Sequence, residues 1–264
     1  MIKSFARFVF LCSVLFVLGS CSMTAYVSKS EESGIRVLRV GVTADYPPMI
    51  FKQGRKIAGV EADLAWLLAQ GLNKNIEFVE LRWEQLIPAL MENRIDIIMS
   101  GMSVTDARKV RIDFSDYYLK SGLLTLMRAE DSSKYNSVDS IKESFSIVGI
   151  VKDTTGEAFV RRTFPKATRI IALSKANDAP DELKNRYIDL FIHDASSIVW
   201  LASENEAELK GFWKPLNEEY LAWGIRKGNQ KLLSQVNAVL KKWKEDGTLN
   251  KVLSKWLPYL KNYN

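Results

Sequence analysis

Residues 95–116, I-D-I-I-M-S-G-M-S-V-T-D-A-R-K-V-R-I-D-F-S-D, decide the fold. Ile95 to Met99 is a short apolar, β-branched run of the kind found in a strand buried on both faces of a parallel sheet. Ser100-Gly101-Met102-Ser103 breaks it. Thr105-Asp106-Ala107-Arg108 then reads as the first turn of a short helix with a hydroxyl cap. Small hydroxyls, a glycine and an arginine thus meet at the carboxyl end of a strand, where open α/β sheets bind ligands. A glycine admits close backbone approach, and a guanidinium presents a planar fork matched to a carboxylate.

Outward from this stretch, strand and helix patterns alternate. Strands are expected at Ile35–Val42 and Ile76–Leu81. Helices are expected at Glu61–Leu72, with Leu64, Leu67, Leu68 and Leu72 on one face, and at Trp83–Glu92. The second half repeats the scheme: strands at Ser146–Val151, Ile170–Leu173 and Ile188–Ile192, with helices near Thr155–Arg162, Asp181–Arg186 and Ala195–Ala202. Two closing helices, about Gln230–Asp246 and Leu249–Leu260, have no strand between them and should pack on the first half. The expectation is an α/β chain in two similar halves with parallel sheets. Three more segments then fall at strand ends: Thr43 to Pro48, Lys152 to Glu157, and His193-Asp194. Ligand groups from two sheets facing one cleft imply a hinge.

Residues 1–20 carry Lys3 and Arg7 ahead of an apolar run ending Leu18-Gly19-Ser20-Cys21, the pattern of an export signal. The ending resembles a bacterial lipobox, in which Cys21 would be acylated. That reading also explains a lone cysteine in an exported chain, since Cys12 leaves with the signal. Residues 21–34 read as a tether. Of the 264 residues, 37 are basic and 31 acidic. Loss of Lys3 and Arg7 lowers the formal charge from +6 to +4, spread without the basic stripe that nucleic acid requires. Lys241, Lys242 and Lys244 around Trp243 read as the solvated face of a helix. One histidine and a lone mature cysteine leave no metal set, and no G-x-S-x-G elbow accompanies His193. No cofactor is expected.

Segments spanning residues 37–257 carry a resemblance to a known family. They are R-V-G-V-T-A-D-Y-P-P, F-K-Q-G-R-K-I-A-G-V-E-A-D-L-A, W-E-Q-L-I-P-A-L, the stretch 94–116, Y-Y-L-K-S-G-L, V-K-D-T-T-G-E-A-F and D-G-T-L-N-K-V-L-S-K-W. In these the chain resembles the family 3 extracytoplasmic solute-binding proteins, the polar-amino-acid binders of ABC transporters. The resemblance implies a two-lobed, type II periplasmic-binding-protein-like fold. One lobe would hold residues 35–117 plus 219–264 and the other 123–217, with hinge strands at 118–122 and 218–224. It implies a monomer serving a membrane permease and its ATPase, exported and held to a membrane by lipid on Cys21.

By the same resemblance Arg108 takes the ligand's α-carboxylate, helped by N–H groups at Gly101 and Ser103 in the Ser100–Ser103 turn. Asp194 takes the α-ammonium. Tyr46 and Trp83 wall the side chain, and Thr155 and Gly156 add second-lobe contacts at the carboxylate end. Lys152 and His193 resemble positions that approach the ligand in glutamine-binding members, which favours glutamine and then glutamate. Lys152 also opposes a cationic ligand. Thr43 departs from the pattern, standing where many members carry an aspartate for the distal group; Asp45 could compensate only with a different loop. The alternative is an enzyme resembling cyclohexadienyl dehydratase, with Glu157 at the position of its catalytic glutamate. Against that, Thr154-x-x-Glu157 is also a capping box.

Overall fold

The structure, a computed structural model, describes residues 36–259. The signal, lipidation and tether expectations, which fall on residues 1–34, lie outside the described residues. Within them two five-stranded sheets share one plan. In the first, Val37–Val42 lies between Asn75–Glu80 and Ile97–Ile98, all parallel. In the second, Ile147–Val151 lies likewise between Arg169–Leu173 and Leu190–Asp194. The repeat read from the sequence is therefore a repeat of topology, each half a β-α-β-α-β unit whose helical crossovers are what parallel neighbours require. Val40, Val42, Ile97, Ile98, Val148, Ile150 and Leu190 are wholly buried, as strands covered on both faces must be.

Each sheet is then extended by antiparallel strands that the alternation did not reveal. Gly224–Arg226 runs against Ile97–Ile98 and is bordered by Ile112–Phe114. Leu123–Arg128 runs against Leu190–Asp194 and is bordered by Leu209–Phe212. The sheets are mixed rather than purely parallel. The strand expected over Ile95–Met99 is also regular only at Ile97–Ile98, although Asp96 N still donates to Arg39 O and Met99 N to Gly41 O. Asp96 is held by Arg39 at 2.7 Å, which turns its carboxylate out of the core.

The two passages of chain between the sheets pair with each other, Leu119–Ser121 antiparallel to Glu219–Leu221. The closing helices, Gln230–Glu245 and Thr248–Trp256, turn at Gly247, whose φ of +81° suits a residue without Cβ. They pack on Val60–Gly71, burying Val236, Leu240, Trp243, Leu249 and Leu253 with Leu64 and Leu68. Each such side chain contributes about 1.5–3 kcal/mol relative to exposure. Lys241, Lys242 and Lys244 stay exposed around Trp243. The first lobe is thus a chain-discontinuous body, closed by residues from both ends of the described sequence.

Candidate functional site

A cavity of about 650 Å³ separates the carboxyl ends of the two sheets. From the first lobe it is lined by Thr43, Tyr46, Trp83, Ser100, Gly101, Ser103 and Arg108. From the second it is lined by Lys152, Thr155, His193 and Asp194. Gly156 is the one expected residue not among them: it is buried against the Ile192 carbonyl, 3.0 Å from where a Cβ would stand. Its role is to let the helix Thr155–Thr163 approach the neighbouring strand.

Arg108 sits on the short helix Asp106–Lys109, whose Thr105 cap accepts the Arg108 N–H at 3.2 Å. Its Nη1 donates to the Ser103 carbonyl at 2.8 Å and its Nη2 to the Asp153 carbonyl at 3.4 Å. The guanidinium carbon lies 5.1 Å from the centre of the Trp83 ring, a cation–π distance. Trp83 Nε1 also donates to the Asp153 carbonyl, at 3.0 Å. One carbonyl of the second lobe therefore receives two first-lobe donors. Burial lowers the Arg108 pKa, opposed by Asp194 and Glu219, and it stays charged at any working pH.

At the second-lobe end of the cavity His193 and Asp194 are both buried. Tyr46 Oη donates to Asp194 Oδ2 at 2.8 Å and lies 3.0 Å from Ser196 Oγ. Burial raises the Asp194 carboxyl to about 6, against the pull of the Tyr46 bond and of Arg108. His193 is buried too, which lowers its pKa to about 4. Its Nδ1 accepts the Asp194 N–H at 2.8 Å, so the ring is neutral with its proton on Nε2. The 3.5 Å approach of Nδ1 to Asp194 Oδ2 is accordingly no ion pair. The ring stacks on Tyr46 at 5.8 Å and 7°.

Two polar groups at expected site positions are turned away from the cavity. Gly101, at φ +66°, gives its N–H to Glu61 Oε1 at 2.6 Å and not to a ligand carboxylate. Thr43 donates its hydroxyl to the Leu81 carbonyl at 3.0 Å, while its N–H is taken by Ser100 Oγ. Glu61 itself is wholly buried and also receives Tyr118 Oη at 2.7 Å and Trp223 Nε1 at 2.9 Å. The sequence held a signal for it. Glu61 falls on the helix face of Leu64, Ala65 and Leu68, an acid at a core position that must have buried donors. Asp45, Arg82, Glu84, Asp153 and the segment Ala172 to Ala176 also line the cavity, Asp45 from a small hairpin that closes its rim.

A sequence model of the bacterial extracellular solute-binding proteins, family 3, matches residues 38–259. The chain belongs to family 3. The ABC transporter glutamine-binding protein GlnH of Bacillus subtilis (strain 168) is 30% identical to this family 3 protein over 206 residues, covering 76% of this chain and 73% of that one. Among solved structures, an ancestral amino-acid-binding protein described as a precursor of cyclohexadienyl dehydratase is 34% identical. It matches with a TM-score of 0.77 over 83% of this chain and 95% of the other. An ancestral arginine-binding protein solved with glutamine bound is 31% identical, with a TM-score of 0.75 over 84% and 97%. Other relatives are named for arginine, histidine and L-cystine. The fold is the type II, two-lobed one, and the relatives are amino-acid-binding proteins of ABC transport. Among the described residues no helix is long and apolar enough to cross a membrane.

Proposed function

We propose that this family 3 protein captures a polar L-amino acid, glutamine first and glutamate second, and delivers it to a membrane permease driven by an ATPase. The observation that carries the reading is the opposition of Arg108 and Asp194 across one cavity, each from a different lobe. A zwitterion spans such a pair: the guanidinium fork holds the α-carboxylate and the buried carboxylate holds the α-ammonium. Neither partner suffices alone, so the ligand favours the state in which both face it, and the lobes close by population shift about the paired strands Leu119–Ser121 and Glu219–Leu221.

Preference for a neutral side chain is supported by charge balance. With Arg108 and Asp194 assigned to the ligand's own charges, the rest of the lining holds Arg82, Lys152 and Lys175 against Asp45, Glu84 and Asp153. A carboxamide, which both donates and accepts, matches such a mixed wall better than a guanidinium beside Lys152. Asp45 takes the place of the distal acceptor that Thr43 lacks. Binding rather than catalysis is supported by Glu157, which is not among the residues lining this cavity. It accepts the Asp153 N–H at 2.8 Å and Arg161 Nε at 2.9 Å, and the Thr154 hydroxyl caps its own N–H.

In this reading residues 1–20 direct export, Cys21 carries the lipid, and the protein works as a monomer at a membrane surface. Titration calorimetry with L-glutamine, L-glutamate and L-arginine tests the ligand order. Tightest binding of glutamine supports it, and tightest binding of arginine overturns it.

A further inference from the structure

Glu219 stands on the strand Glu219–Leu221, in the second passage between the lobes, with 8% exposure. Its two oxygens receive donors from three places. Ser103 Oγ of the first lobe donates to Oε2 at 2.5 Å, and Thr155 Oγ1 of the second lobe donates to the same oxygen at 3.1 Å. Asn217 Nδ2 donates to Oε1 at 2.9 Å. Ser103 and Thr155 line the ligand cavity, and Glu219 stands behind both. Asn217 is fixed in orientation, because its Oδ1 accepts the Leu123 N–H at 2.8 Å where the first passage enters the second sheet. It therefore presents only its NH₂ to Glu219.

We propose that Glu219 is a positioning residue for ligand capture: from behind the cavity it holds Ser103 and Thr155 together in the closed state and turns both hydroxyl protons away from the ligand. A hydroxyl that donates to Glu219 offers the cavity only lone pairs. Ser103 and Thr155 then accept from the ligand's N–H groups, and the α-carboxylate is left to Arg108 and to backbone N–H groups. Beside Asn217, only a carboxylate gives this arrangement. A glutamine at this position either sets its NH₂ against that of Asn217 or faces the two hydroxyls with donors and reverses their polarity. The assignment rests on the amino-acid-capture reading.

The donor pattern supplies its own rescue. In Asn217→Asp combined with Glu219→Gln, the new aspartate accepts both the Leu123 N–H and the glutamine NH₂. The glutamine oxygen then accepts the two hydroxyls, as Glu219 did. Calorimetry with L-glutamine, beside melting curves, compares wild type, both single variants and the double. Each single variant is expected to bind about tenfold more weakly, the cost of one mispaired buried group, and the double to recover to within about threefold. Glu219→Asp keeps charge and both acceptors but is one methylene too short to hold all three donors. It should lose a similar factor, and it keeps the test open should Glu219→Gln fail to fold. Wild-type affinity in Glu219→Gln or Glu219→Asp, or a double variant that recovers melting but not affinity, overturns the assignment alone. Absence of amino-acid binding by the wild-type protein overturns the functional reading with it.

Discussion

Tyr46 of the first lobe donates its phenolic proton to Asp194 of the second at 2.8 Å, while its ring stacks on the neutral imidazole of His193. One side chain thus supplies a wall of the cavity, a bond across the cleft and a partner for the buried carboxylate. Tyr46→Phe keeps the wall and removes the bond. Affinity for L-glutamine should fall by roughly a factor of ten, as for loss of a bond to a charged group, with most of the change in the dissociation rate. Stopped-flow binding separates the two rates; an unchanged dissociation rate would mean that the bond does not hold the closed state.

Arg108→Lys should cost most of the affinity although the charge is kept. A lysine cannot reach the Ser103 carbonyl, lie on Trp83 and still grip a carboxylate with two donors. A loss of about a hundredfold is expected, on the scale of a buried charge-assisted pair. Calorimetric affinity close to wild type would remove Arg108 from the carboxylate's place.

Binding should weaken in acid because of Asp194. Its carboxyl is raised from 3.8 to about 6, so a growing share is protonated below that pH and cannot hold an ammonium. Between pH 7.5 and pH 5 affinity should fall by roughly tenfold. Tyr46→Phe removes a bond that lowers this pKa and should move the midpoint upward. Melting of the ligand-free protein should not follow the same curve. A raised acid contributes stability that is full below about 3.8 and is lost as pH rises through about 6. The lowered base His193 contributes stability that is full above 6.5 and is lost as pH falls through about 4. The two oppose each other across the same window. Affinity that is flat from pH 7.5 to pH 5 would show that Asp194 does not titrate there.

Glu61→Gln should chiefly destabilise. The carboxylate takes Gly101 and Tyr118 on one oxygen and Trp223 on the other, so a glutamine turns a donor toward the buried indole N–H or toward the first two. A cost of about 1–3 kcal/mol follows, lowering the melting temperature by about 2–12 °C. Differential scanning calorimetry measures it, and a wild-type melting temperature would mean that the three donors have found other partners.

The alternating strands and helices were legible because each carries its own periodicity. The antiparallel strands Leu123–Arg128 and Gly224–Arg226 were not, because their partners lie far away in sequence; the first reads as an ordinary apolar run and the second, Gly-Ile-Arg, is too short to carry a pattern. At the site, strand-end placement marked Arg108, Tyr46 and Asp194, the family resemblance supplied their roles and added Trp83, and the structure gathers all four at one cavity. Local sequence could not show that Gly101 spends its N–H on Glu61, a residue 40 positions earlier. Glu219 was hidden for a related reason: beside Glu218 nothing distinguishes it until the strand turns one side chain inward and leaves the other exposed. Thr43 and Asp45 were legible as a departure, but only the hairpin places Asp45 on the cavity rim.

The space between Arg108 and Asp194 is proposed as an amino-acid site. A thermal-shift screen of the purified protein against the amino acids, with prephenate and arogenate alongside, tests it most directly. Ligand near 1,000 times its dissociation constant stabilises the folded state by about 4 kcal/mol, roughly 8–16 °C for a chain of this size. A shift of that order is expected with L-glutamine, a smaller one with L-glutamate and little with L-arginine. No shift with any amino acid, together with turnover of prephenate or arogenate, would contradict it and make Glu157 the residue to pursue.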